Sequence, residues 1–134
     1  MTKFITTLCC SAIALSTSFA FAEPDRDAQP IHPPVPKYPV QAAMAKVSGM
    51  CEVSFDVDRN GKLVAPRAAC SNPVFCHEVL RAMSETEYAP KIVDGVPSPR
   101  YGVVYPIEFS ISGRTDENGY DPLKPCAQEK QAVS

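Results

Sequence analysis

Of six cysteines, the four beyond the N-terminal apolar stretch, Cys51, Cys70, Cys76 and Cys126, together with His77, are the residues whose types could do chemistry. Cys76-His77 close to Cys70 offers a metal-ligand fragment, but no second spaced pair of ligands accompanies it. The only other histidine, His32, lies in a Pro-rich segment, so a metal centre is not expected. No Gly-rich phosphate loop, Gly-x-Ser-x-Gly elbow or His-Glu-x-x-His pattern is present, and two histidines leave little material for a catalytic triad. The chain is therefore read as no enzyme, with no cofactor and no small-molecule substrate. What remains for the cysteines is cross-linking, which suits an exported chain of this size. Four cysteines allow three pairings.

The case for export lies at the N-terminus. Lys3 precedes an apolar stretch over residues 4–21, which closes in Ala20-Phe21-Ala22 before Glu23-Pro24. A basic start, an apolar run and a small-x-small ending describe a cleaved signal peptide over residues 1–22. The alternative is an uncleaved inner-membrane anchor, which the six Ser and Thr between Thr6 and Ser18 disfavour. A lipoprotein is disfavoured too, because Cys9 and Cys10 follow an apolar run that is too short.

The whole chain has 134 residues, 45% hydrophobic and 21% charged, with a formal net charge of −2. This composition suits one small domain and argues against a nucleic-acid partner. Fourteen Pro and no Trp mark it as loop-rich. Six of those Pro fall in residues 23–39, around His32-Pro33-Pro34-Val35-Pro36, so residues 23–36 are expected to be an extended arm without helix or strand.

Behind Tyr38-Pro39, the helix formers Ala42, Ala43, Met44 and Ala45 predict a short helix over residues 40–47. Residues 50–58 alternate, with Cys51, Val53, Phe55 and Val57 on one side and Glu52, Ser54, Asp56 and Asp58 on the other, as a half-buried strand does. The acidic row reads as a solvated strand face. Asn60-Gly61 favours a two-residue type I′ turn into a second strand over residues 63–70. In that register Val57 faces Val64 and Cys51 faces Cys70, as a hydrogen-bonded pair with α-carbons about 5.5 Å apart. Cys51–Cys70 with Cys76–Cys126 is then the leading scheme, and Cys70–Cys76 with Cys51–Cys126 its competitor.

Asn72-Pro73 starts a helix predicted over residues 73–85, with Phe75, Val79, Ala82 and Met83 on one stripe and Glu78, Arg81 and Glu85 towards the other face. Asp94-Gly95 is a turn signal. The longest strand covers residues 101–111, where Tyr105, Ile107 and Phe109 share the core parity and Val104, Pro106, Glu108 and Ser110 face out. Residues 112–134 read as a polar tail, loose unless Cys126 ties it down. Pro66 and Pro106 place the second and third strands at sheet edges. The expected fold is α+β: a three-stranded antiparallel sheet in the order 2-1-3 with a helix on one face, in the succession αββαβ.

Pro36-x-Tyr38-Pro39-x-x-Ala42, Gly49-x-Cys51-x-Val53-x-Phe55-x-Val57-Asp58-x-x-Gly61, Phe75 with Ala82, Ala89-Pro90 and Val104-Tyr105-Pro106-Ile107-x-Phe109 together resemble, over residues 36–111, the C-terminal domain of TonB proteins, which places that domain at residues 37–111. The resemblance implies a periplasmic domain that grips a short TonB-box segment of an outer-membrane receptor, or of another envelope protein, by pairing it with the last strand. The binding edge would be Val104, Tyr105, Pro106, Ile107, Glu108, Phe109 and Ser110. The cleavable leader, an arm reaching only about 45 Å and the four cysteines differ from the family's energy transducers, so the chain reads as a free-standing periplasmic relative. Pairing of open edges between two copies, giving a homodimer, is the structural alternative.

Overall fold

A computed structural model describes residues 21–111 and 119–127. The expected leader, apart from its last two residues, and tail residues 112–118 and 128–134 lie outside the described residues. Among the described residues no helix is long and apolar enough to cross a membrane.

The elements in chain order are β1 (Gln29–Pro30), α1 (Val40–Met44), β2 (Gly49–Val57), β3 (Leu63–Cys70), a 3-10 turn (Pro73–Phe75) running into α2 (Cys76–Ser84), β4 (Tyr88–Ala89), β5 (Lys91–Val93), β6 (Val96–Ser98), β7 (Arg100–Phe109) and β8 (Lys124–Pro125). The helix begins as a 3-10 turn because Asn72 accepts the Val74 N–H and Pro73 supplies no donor of its own. Its buried Val79, Ala82 and Met83 lie on the sheet, together with Phe75.

The main sheet is antiparallel, in the order β7-β2-β3-β8. The Pro-free strand β2 sits inside it, between β7 with Pro106 and β3 with Pro66, and β3, expected at an edge, is covered at Ala69 and Cys70 by β8. The expected count of three strands is corrected to four. The tail, expected to be loose unless Cys126 ties it down, is tied: Cys126 is bonded to Cys76 and donates its N–H to Ala68 O at 2.8 Å, and Lys124–Pro125 pair with Ala69 and Cys70.

The β2–β3 connection also differs from expectation. Three residues, Arg59, Asn60 and Gly61, form the loop, and of these only Gly61 has positive φ, at 80°. A type I′ turn needs positive φ at both central residues. Here Asp58 dictates the alternative, since its Oδ1 accepts the N–H groups of both Asn60 and Lys62. The longer loop sets Val57 opposite Leu63 instead of Val64. A bulge then places Ala65, at φ 50°, and Pro66 opposite Phe55, and this restores the register so that Cys51 still faces Cys70. The turn with two positive φ values is Asp94-Gly95, which closes the small β5–β6 hairpin.

The arm before Tyr38 is corrected as well. Gln29–Pro30 pairs with β4, and Arg26 exchanges backbone hydrogen bonds with Ile92. Asp25 accepts the Asp94 N–H, and Asp27 pairs with Arg100. Extended Pro-rich chain can join a sheet wherever a non-Pro residue supplies the donor, and Arg26 and Ile31 do so here. The chain is thereby held against β4 and β5 instead of reaching away from them.

The core lies on one face of the main sheet, where Cys51, Val53, Phe55 and Val57 of β2 are buried while Glu52 and Ser54 are exposed. Tyr38, Phe75 and Phe109 form an aromatic cluster in which Phe75 and Phe109 stack at 4.4 Å between centroids and Tyr38 meets both edge-on. Tyr38 also donates its hydroxyl to Val47 O. Gly49 leaves the space the Phe75 ring occupies, for a β-carbon there would stand 2.5 Å from it.

Candidate functional site

Strand β7 ends the main sheet and pairs with β2 along one side only. Among the described residues no strand pairs with its other side. Which of its backbone groups point outward follows from the register. Cys51 and Cys70 have α-carbons 4.1 Å apart, the narrow kind of antiparallel pair, so the Cys51 N–H and C=O turn away from β3 towards β7. The neighbouring Met50 carbonyl points the other way and accepts the Ser71 N–H at 2.9 Å. The wide spacing expected for Cys51 and Cys70 is thus corrected by one step of the ladder.

Cys51 and Val53 face Ile107 and Tyr105. The main-chain groups of Tyr105, Ile107 and Phe109 therefore serve the ladder to β2, and those of Val104, Pro106 and Glu108 point outward. The outward row offers three carbonyls but only two N–H groups, because Pro106 has none. Ile107 and Phe109 are buried and Tyr105 half-buried on the core face, whereas Val104 is 58% exposed and Pro106, Glu108 and Ser110 are exposed as well. Ser110 lies just beyond the strand.

The usable row has a defined start. Gly102 has φ 65° and donates its N–H to Asp56 Oδ1 at 2.8 Å, where the β2–β7 register shifts between Phe55 and Val57. This bulge separates residues 103–109 from Arg100 and Tyr101. A glycine inside a strand pattern is the sequence signal for such a break. Asp56 and Asp58, read from sequence as parts of a solvated acidic row, bind backbone donors at the bulge and at the turn; Glu52 alone of the three stays exposed without such a contact among those described. At the far end, Glu108 accepts the Tyr120 hydroxyl at 2.5 Å.

The cysteines lie on the other side of β2. Cys51–Cys70 and Cys76–Cys126 are disulfides. The sulfurs of Cys70, Cys76 and Cys126 all lie within 4.8 Å of one another, bonded within these two bridges. His77 is exposed on α2.

With this geometry in view, the family model described as Gram-negative bacterial TonB protein C-terminal matches residues 34–111. The chain belongs to the TonB C-terminal domain family. The match runs from the end of the arm through β7, so the TonB_C unit contains the aromatic cluster, the helix α2 and the free edge, and β8 lies beyond it. TonB C-terminal domains are non-enzymatic protein-interaction modules of the cell envelope, associated with TonB-type energy transduction and with TonB-dependent outer-membrane receptors. Comparison with curated proteins gives no match.

Proposed function

We propose that this chain is a periplasmic TonB-like binding module, exported by a leader over residues 1–22, that captures an extended TonB-box-like segment of an outer-membrane receptor or other envelope protein by strand addition to β7. The capture itself involves no covalent step. The observation that carries this reading is the unpaired outward row of Val104, Pro106 and Glu108 on a strand whose other groups are committed to β2. Strand addition would place the peptide antiparallel or parallel to β7 with a gap at Pro106. Affinity then rests on the donors of Val104 and Glu108.

The same register chooses the test. Glu108→Pro deletes an outward donor and leaves the ladder to β2 untouched, whereas Ile107→Pro would break that ladder and damage the fold. Titration of a TonB-box peptide into the mature protein should show saturable binding, lost in Glu108→Pro and kept in Glu108→Ala. No binding by the wild type, or equal binding by Glu108→Pro, sinks the proposal.

The competing reading, an inner-membrane-anchored transducer, is disfavoured by the arm. Residues 25–31 are bound to β4, β5 and the Asp94-Gly95 turn, so they do not act as a spacer. An anchored domain of this kind would be held close to its membrane. N-terminal sequencing of the protein from periplasmic and membrane fractions separates the two, with a start at Glu23 favouring export.

A further inference from the structure

The two disulfides are neighbours as well as staples. Cys126 Sγ lies 3.8 Å from Cys70 Sγ, across the gap between the bridges. Cys51 and Cys70 are buried, at 0% and 1% exposure, whereas Cys76 and Cys126 are only half-buried. Beside them a groove of about 840 Å³ runs between α2 and β8, lined by Cys70, Cys76 and Cys126 with His77, Leu80 and Lys124. An external thiolate can thus reach the outer bridge more readily than the inner one, and the Lys124 ammonium on the groove favours the incoming negative charge.

We propose that Cys70, Cys76 and Cys126 form a thiol–disulfide exchange site whose substrate is a small dithiol or a dithiol oxidoreductase, and that Cys126 passes the reduction inward to Cys70. The dithiol's thiolate attacks Cys76 Sγ; the Cys76–Cys126 bond breaks and Cys126 leaves as a thiolate with the electron pair. The second thiol of the reductant closes on the mixed disulfide, releases Cys76 and departs as an oxidised disulfide. Cys126 then attacks Cys70 Sγ, forming Cys70–Cys126 and expelling Cys51, which takes up a proton. One dithiol has been oxidised and one protein disulfide reduced. The surviving bridge has moved from within the β2–β3 hairpin to the junction of β3 with the tail. Without exchange, the surviving bridge is the buried one, Cys51–Cys70.

The test uses the oxidised mature protein under native conditions, with limiting dithiothreitol, a quench with N-ethylmaleimide and disulfide mapping by mass spectrometry. The expected one-disulfide product is Cys70–Cys126 with label on Cys51 and Cys76, exceeding any Cys51–Cys126 product by about ten-fold or more, as relay through a fixed neighbour requires. Survival of Cys51–Cys70 or Cys76–Cys126 alone overturns the proposal. So does a comparable yield of Cys51–Cys76 and Cys51–Cys126, which would mean scrambling through unfolding. In Cys51→Ala the freed Cys70 thiol should compete with Cys76 for Cys126, so that both linkages are recovered; a chain linked solely as Cys76–Cys126 counts against the relay. The wild-type mapping decides the matter if this variant does not fold, and neither readout depends on peptide binding.

Discussion

Gly61 and Tyr88 are joined backbone to backbone: the Tyr88 N–H donates to Gly61 O at 3.0 Å, and a β-carbon at residue 61 would stand 1.8 Å from the Tyr88 carbonyl oxygen. The β2–β3 turn is thus locked to the segment that follows α2, 27 residues later in the chain by number. Gly61 meets two demands there, a φ of 80° and an approach that no side chain allows.

Gly61→Ala should therefore destabilise the domain by on the order of 2–3 kcal/mol, combining left-handed strain with displacement of Tyr88. Asn60→Ala, in the same loop but without positive φ, should cost much less. Urea unfolding of the two variants makes the comparison, and equal losses would refute the role given to Gly61.

The Tyr88 hydroxyl is buried without a hydrogen-bond partner among the described residues, and burial pushes its pKa up to about 12, with Tyr105 adding to the effect. The folded state favours the neutral phenol. That contribution is fully present below about pH 10 and is lost as the pH rises through about 12. Tyr88→Phe should be neutral or stabilising by up to about 1 kcal/mol at neutral pH, since it removes an unsatisfied polar group. Thermal melts should show the wild type losing stability relative to Tyr88→Phe between pH 10 and 12.

Arg81 donates from Nε and Nη2 to Glu78, and this holds the Glu78 carboxyl at about 2, with the Lys37 N–H also donating to it at 2.8 Å. A depressed carboxyl stabilises the folded state above the ordinary value near 4.5, and the contribution disappears as the pH falls from there towards 2. Glu78→Gln should lower the urea midpoint at pH 7 and converge with the wild type near pH 2. It should also speed amide exchange at Lys37, where the arm meets α2.

The Cys76–Cys126 bridge closes a span of 50 residues and the Cys51–Cys70 bridge one of 19. Chain-entropy arguments give about 4 and about 3 kcal/mol for loops of these sizes. The double variant Cys76→Ala/Cys126→Ala should lose stability on that scale and release β8, seen as loss of protection at the residue 126 amide. Protection that persists would show that β8 holds to β3 without the bridge.

From the residues alone, the alternation of β2, the stripe of α2 and the absence of Pro from β2 were legible, because each depends on neighbours in the chain. The ordered set of motifs from Pro36 to Phe109 likewise carried the family. The tertiary structure decided what depends on distant partners. Asp58 chose a three-residue loop over the expected Asn-Gly turn, and the Ala65 bulge offset that shift, so the register at Cys51 and Cys70 was reached by two compensating departures. Which of the three cysteine pairings exists was fixed by where α2 and the tail meet. Short segments such as Gln29–Pro30 and Lys124–Pro125 have too few residues to show any period, and they become strands only because β4 and β3 present open edges to them. The outward direction of Val104, Pro106 and Glu108 was set in the same way, by the narrow pairing of Cys51 with Cys70 across the sheet.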